Sequence, residues 1–585
     1  MCACYFSRSA APFLQLKSRP RTGLQIEYWL FRVGRNSTPR PQYSFRAFPT
    51  QPCAQPATFR QLKQGSSVWI LTFIASVILG GAIVQAANSG TRKLPDFNQV
   101  VREKQERFLG VLDIFMMSTD DVPPGHLGNL TEEQEVKLLE FWGLLLKIFD
   151  ATAEGDRISE QTDTPSRIGT PTQEKKKSRL SFLGLRNGDT GDKKGENIST
   201  KSPVSNVVNL RIAEADDKYG QTKEFQKALA DQSPDEIRDT FWSMVKHDNP
   251  DVLLLRFLRA RKWDVNRAVV MLISTLHWRA VEMHVDDDIM KGGEALAMEQ
   301  SKSSDPTTQK AGEDFMSQLR MGKGFIHGVD KIGRPMCHIR VRLHKIGAHS
   351  EKSVERFTVH MIEATRSLLI PPVETAVIIF DMANFSLANM DYAPVKFMIK
   401  CFEANYPESL GAVLIHKAPW IFSGIWRVIR GWLDPVVAGK VHFTNSVEDL
   451  EEFVPGNRIL KELDGKGDYE YRYIEPNANE NDAMQDTPKC DAALARHQEL
   501  AKGLQNITHS WVITTLKGDK EHIETLGRKR EDLIEQYRRS YWDIDPYVRA
   551  RSFYDRCGML RPGGKVVFYP ESEAQTNGAT QQSAY

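Results

Sequence analysis

Two short runs constrain the fold of this chain more than anything else in it. Ala376 to Phe380 reads AVIIF and Ala412 to Ile415 reads AVLI, apolar at every position and rich in β-branched residues. A half-exposed strand alternates apolar and polar side chains, so a strand without alternation must be covered on both faces. Stretches of helical spacing lie around these runs, over residues 351–369 and 393–404. A turn-forming DKIGRP (Asp330 to Pro335) precedes a further strand over residues 336–341. The order βαβαβ predicts an α/β domain with a mostly parallel sheet and flanking helices.

Upstream, DVLLLRFLRARKWDVNRAVVMLISTLHW (residues 251–278) places Leu254, Leu255, Leu258, Val265, Val269, Leu272 and Leu276 at helical spacing about a turn at Trp263-Asp264. This pattern predicts a compact helical hairpin. Another helix opens at Thr131, where Thr131 and Gln134 have the spacing of a capping box and Val136 to Phe149 carry a broad apolar face. That face is expected to pack on the main domain, with a partner-binding role as the alternative.

The 585 residues divide further by composition. Residues 1–67 form a basic, irregular leader expected to be disordered, and Glu27 is the only acid before residue 96. Residues 68–87 (VWILTFIASVILGGAIVQAA) are apolar throughout. Roughly 20 such residues at ~1.5 Å each match the ~30 Å hydrocarbon core of a bilayer. They predict a transmembrane helix and a membrane-associated chain with its N-terminus in the cytosol. A peripheral cytoplasmic protein is the alternative if the N-terminus is not translated as given, and a mitochondrial one if the leader is a targeting segment. Residues 88–150 read as a helical extension, 151–221 as a disordered linker, 222–290 as a helical domain, 318–475 as the α/β domain and 483–556 as C-terminal helices. Within the linker, KKKSRLSFLGL (Lys175 to Leu185) suits an anionic lipid surface or a solvated face.

Lys plus Arg number 77 against 75 Asp plus Glu, a balance that argues against nucleic acid as a partner. None of the seven cysteines forms a paired CxxC array, so no metal site is expected. There is no P-loop, nucleophile elbow, kinase motif set or HExxH, which argues against an enzyme, and no cofactor is implied. His338, His360 and His416 stand alone in the sequence and read as structural.

Four stretches then carry a resemblance: LLRFLRARKWDVNRA (254–268), DKIGRP, FEANYPESLG (402–411) and HKAPWIF…WLDPVVAGK (416–440), supported by NMDYAPVKF (389–397). Together they resemble the CRAL-TRIO family of lipid-transfer proteins, above all the fungal phosphatidylinositol transfer proteins of the secretory pathway. The resemblance spans residues 220–475. It implies a CRAL-TRIO lipid-binding domain, mostly parallel sheet with flanking helices and a gate helix, preceded by a small all-α CRAL-TRIO N-terminal domain. It also implies that the chain binds phosphatidylinositol in a closed hydrophobic pocket and transfers it between membranes. A membrane-tethered sensor or scaffold, presenting this lipid or a second hydrophobic ligand to an effector such as a lipid kinase, is the alternative. Each CH₂ of an acyl chain left in water costs about 0.8 kcal/mol, so a carrier needs an enclosed apolar cavity.

By the same resemblance, Arg261, Lys262, Glu408 and Lys440 surround the headgroup. Arg261 and Lys440 are expected to hold the phosphate, and Glu408 to accept inositol hydroxyls. Ala376, Ile378 and Phe380 are expected on the pocket floor. Phe422, Ile425, Trp426, Ile429 and Trp432 belong to the gate, which suits a membrane surface because Arg427 and Arg430 interleave with aromatic residues. The chain departs from the family pattern in three places. Ala376 and Ile378 stand where a Ser and a Thr would serve phosphatidylcholine, which favours an apolar second ligand. Val437 replaces a Thr, and Asp464-Gly465 replaces a Gly-Gly hinge, a geometry that Asp is expected to resist.

Overall fold

In a computed structural model, the chain is described over residues 122–150 and 217–569. The basic leader, residues 68–87, KKKSRLSFLGL and nearly all of the linker lie outside that range. Among the described residues, no helix is long and apolar enough to cross a membrane. The expectation of an anchored, membrane-spanning chain is corrected accordingly. The longest helices are interrupted throughout by Lys, Arg, Asp and Glu, which cannot face hydrocarbon.

Local chemistry sets the helix starts. Helix α1 (Glu132–Phe149) begins with the Thr131/Gln134 capping box. Four helices follow: α2 (Gln221–Asp231), α3 (Pro234–Val245), α4 (Pro250–Ala260) and α5 (Val265–His277). Ser233 and Glu236 form a second capping box ahead of α3, Asn249 caps α4 and Asp264 caps α5, while proline occupies the first position of α3 and α4. The α4–α5 turn is tight, with Lys262 and Trp263 both in the left-handed region (φ 51° and 66°). α1 packs inward rather than outward: Phe141, Trp142 and Leu145 share one core with α4, α5 and the C-terminal helices.

After α6 (Pro306–Arg320) the chain enters a five-stranded sheet. Its elements are β1 (Gly324–Val329), β2 (Pro335–Arg340), α7 (Glu351–Ser367), β3 (Ala376–Asp381), α8 (Tyr392–Lys400), β4 (Leu410–His416), α9 (Phe422–Arg430), α10 (Pro435–Gly439) and β5 (Val441–Thr444). The strands lie in sequence order. β2 to β5 are parallel and β1 is antiparallel to β2. The βαβαβ unit expected from the sequence is β2–α7–β3–α8–β4. Two edge strands join it. β1 (GFIHGV) carries two glycines and a histidine, and β5 has only four residues, so neither shows a strand pattern. On β3 the side chains alternate between two covered faces: Ala376, Ile378 and Phe380 line a cavity, while Val377 and Ile379 are buried in the sheet core.

Asp464 does adopt the left-handed conformation (φ 64°), and Lys417 pairs with its carboxylate. Gly465 is the position that tolerates no side chain, since a Cβ there would lie 2.1 Å from the Ile459 carbonyl oxygen. The chain ends in two long helices, α11 (Thr487–Lys517) and α12 (Lys520–Val548). They contribute Leu504, Val512, Ile534 and Tyr537 to the N-terminal helical core, and the following Phe553 and Tyr554 enter the sheet core.

Candidate functional site

The cavity lies on one face of the sheet and has a volume of ≈ 280 Å³. Ala376, Ile378 and Phe380 of β3 form its floor with Leu410, Val413 and Ile415 of β4. Phe357, Met361 and Ile362 of α7 form one wall, and Val395, Met398 and Ile399 of α8 another. α9 closes it with Phe422, Trp426 and Ile429. Ile425 is buried in the same core without lining the cavity. Trp432, just past the helix, stacks edge-on with Tyr392 (5.3 Å) under the Lys396 ammonium (4.8 Å).

α9 is amphipathic. Phe422, Ile425 and Ile429 at i, i+3 and i+7 face inward, and Arg427, Val428 and Arg430 face out. Trp420, just before it, is 86% exposed, and Leu387, Val436 and Phe443 are exposed nearby in sequence or structure. At the other end of α9, Lys218 bonds the Trp432 carbonyl and the Glu403 carboxylate. Tyr219 donates to the same carboxylate at 2.7 Å, and Glu403 accepts the Asp434 amide at 2.7 Å, at the cap of α10. The residues just before α2 are thereby tied to the hinge between α9 and α10.

The four headgroup candidates are not gathered at one point. Lys440 Nζ lies 3.3 Å from Glu408 Oε2, both partly exposed, beside the cavity residues Ser409, Leu410, Val437 and Val441. Glu408 holds a left-handed backbone (φ 52°). Arg261 caps α4 and donates to Gln221 Oε1 at 2.5 Å. Burial, then the Arg267 charge, lowers the Arg261 guanidinium pKa, while Asp434, Asp217 and Glu403 oppose that shift. Lys262 is exposed and lines a separate groove with α1 and α11. Arg259 is the RARK residue that feels the Glu408 charge, and it pairs with Glu374 at 2.8 Å.

Residues 319–465 match the model of the CRAL/TRIO domain and residues 221–274 that of the CRAL/TRIO N-terminal domain. The chain is 40% identical over 449 residues to a CRAL-TRIO domain-containing protein of Schizosaccharomyces pombe, covering 75% of this chain and 93% of that one. The chain belongs to the CRAL-TRIO family. It is also 37% identical over 453 residues to the phosphatidylinositol transfer protein CSR1 of Eremothecium gossypii, covering 76% of this chain and all of that protein. The crystal structure of Sfh5 aligns with 39% of this chain and 71% of its own, at 17% identity and a TM-score of 0.27.

Within the CRAL-TRIO domain, two of the three departures fall on the cavity wall, and Asp464-Gly465 lies outside it. Ala376, Ile378 and Val437 all line it and offer no side-chain donor. Three further residues have no part in the sequence expectations: Lys323, a buried lysine on the cavity wall, and Arg259 and Glu403, which lie outside the cavity lining. Arg259 sits inside the RARK motif and was available to them, but Glu403 and Lys323 have no local pattern to announce them. In the N-terminal domain, Glu224, His277 and Glu282 converge, with His277 Nδ1 3.7 Å and 4.0 Å from the two carboxylates. Lys227 Nζ already stands 3.8 Å and 3.9 Å from the same carboxylates and supplies their cation.

Proposed function

We propose that this chain takes one phosphatidylinositol into the cavity and carries it between membranes. The observation that supports this most is the apolar cavity under an amphipathic helix, with a paired Lys440 and Glu408 beside it. Its similarity along the whole length of a protein named for phosphatidylinositol transfer adds to that. In this reading the acyl chains lie over β3 and β4, where each CH₂ removed from water contributes about 0.8 kcal/mol. Lys440 takes the phosphate and releases Glu408 to accept inositol hydroxyls. Arg261 reaches the phosphate by exchanging its bond to Gln221, and Lys262 adds long-range positive charge.

α9 acts as the gate. Trp420, Arg427 and Arg430 on its outer side suit the layer between headgroups and acyl chains. The test is mass spectrometry of lipid extracted from the purified full chain. Phosphatidylinositol is expected at about one per protein in the wild type and strongly depleted in Arg261→Ala with Lys440→Ala. Full occupancy in the double variant would remove the headgroup assignment, and absence of phosphatidylinositol from the wild type would remove the function.

A further inference from the structure

A side-chain cluster away from the cavity has the donor set of a metal centre. His277 ends α5 and is fully buried, yet neither of its ring nitrogens has a hydrogen-bond partner. Nδ1 faces Glu224 Oε2 at 3.7 Å and Glu282 Oε1 at 4.0 Å, and Nε2 faces Asp231 Oδ2 at 3.5 Å. Glu224 Oε2 is itself buried without a hydrogen-bond partner. Buried polar atoms left unmet are unfavourable unless something else satisfies them.

Local geometry aims these groups at one point. Glu224 and Asp231 lie seven residues apart on α2, which is two helical turns, so both present to the same side. Ser274 Oγ donates to the Gln221 carbonyl at 2.7 Å and holds α2 against α5 one turn away. Glu282 closes a π-helical turn, Trp278–Glu282, that continues α5. In an α-helix the fifth residue along points about 140° away, whereas a π-helical turn brings it back over the first. That turn is why Glu282 meets His277, and no ligand spacing in the sequence announces it.

Lys227 balances the two glutamates in the metal-free protein. It does so from 3.8 Å and 3.9 Å, beyond the reach of a charged hydrogen bond, and its side chain is 45% exposed. Such a pair costs little to break. It also does nothing for the two imidazole nitrogens.

We propose that Glu224, His277 Nδ1 and Glu282 bind a divalent transition-metal ion of the zinc class, with water as the fourth ligand. Asp231 accepts the Nε2 proton, which fixes the tautomer that leaves Nδ1 free to ligate. One imidazole with two carboxylates suits zinc, cobalt or nickel better than magnesium or calcium, which prefer oxygen throughout. The three donor atoms lie within 4.8 Å of one another. Zinc bonds of about 2.0–2.2 Å bring such donors to about 3.4 Å apart. The glutamates, 32% and 33% exposed, have the freedom to close that gap while the imidazole stays fixed. The bound ion pins α2 to the end of α5, and the residues just before α2 hold the hinge between α9 and α10 through Glu403. None of the ligands lines the lipid cavity, so this inference does not rest on which lipid the cavity takes.

The test uses the full chain, stripped with a chelator, desalted and titrated with zinc chloride by calorimetry. The wild type is expected to bind about one equivalent more than Glu224→Gln with Glu282→Gln, and zinc is expected to raise the melting temperature of the wild type alone. Both changes fall on partly exposed side chains, and a melting curve without metal checks that the double variant folds. Asp231→Asn is expected to weaken the site by about 10- to 100-fold, the usual cost of losing the carboxylate behind a ligating histidine. Cysteines elsewhere in the chain also take zinc, so cobalt(II) is the second probe. Cobalt at this site gives visible absorption without a thiolate charge-transfer band, and the double variant lacks that absorption. A wild type that binds no zinc, a double variant that binds as much zinc as tightly, or a cobalt spectrum showing thiolate ligation alone overturns the proposal. The four groups are then an ion-pair cluster around a protonated imidazole.

Discussion

Lys440 and Glu408 neutralise one another at 3.3 Å, with side chains 23% and 26% exposed. Such a pair contributes little to stability, because solvent screens it. Its value in this account is that either member exchanges its partner cheaply for a ligand group. Lys440→Ala is therefore expected to leave the melting temperature nearly unchanged while weakening phosphatidylinositol binding by about tenfold or more, the worth of one charged hydrogen bond. A lipid-binding titration beside a melting curve checks both halves. These two residues were legible because each sits inside a recognisable stretch, YPE and DPVVAGK. Lys323 was not, since LRMGKGF has no pattern of its own and the residue acquires meaning only where β1 meets α6 and α7.

At the scale of elements, the amphipathic helix bracketed by Pro419 and Pro435 was readable, and α9 occupies that place. The restraint on its far end was not readable. Glu403, one turn past α8, receives Lys218, Tyr219 and the Asp434 amide from two distant parts of the chain. Removing its charge weakens all three bonds. Glu403→Gln is expected to raise amide hydrogen exchange at Asp434 by about tenfold or more, on the scale of one charged hydrogen bond. Exchange inside β3 is expected to stay as it was. The same limit applied to the edge strands. β3 and β4 carry apolar runs and β2 follows the turn-forming DKIGRP, whereas β1 carries two glycines, β5 has only four residues, and both are specified by their neighbours rather than by their own residues.

Across the whole molecule, chain ends far apart in sequence meet in one core. The Trp142 indole donates to Asp251 at 2.7 Å, and Arg530 donates to the same carboxylate at 2.6 Å. This joins α1, α4 and α12, and no local pattern in the sequence signals it. Asp251→Ala strands the Arg530 guanidinium in a buried position and is expected to lower unfolding stability by about 3–5 kcal/mol, measured by denaturant titration. A second buried centre ties the helical part to the sheet. Glu363 accepts Lys246 at 2.6 Å, Arg279 at 2.7 Å and the Tyr406 hydroxyl at 2.8 Å. Burial alone would raise its pKa, but Arg279, Lys246 and Arg366 hold it well below the usual carboxylate range.

Acid should act on histidines first. Burial lowers His247, His338 and His497 to about 4 and His327 to about 3. In the unfolded chain a histidine titrates near about 6.5, so between that pH and the folded values the unfolded state takes up protons that the native state refuses. Their contribution to stability is complete above about pH 6.5 and is lost as pH falls toward 4. Melting temperatures recorded from pH 7 down to 4 are expected to drop steadily, and His338→Gln with His497→Gln should flatten that drop. The measurement that bears most directly on the central claim is phosphatidylinositol transfer between donor and acceptor vesicles by the full chain. Protein-dependent transfer is expected, and it collapses in Arg261→Ala with Lys440→Ala while both proteins stay folded. Wild-type protein that moves no phosphatidylinositol, or a double variant that moves it as fast as wild type, would contradict it.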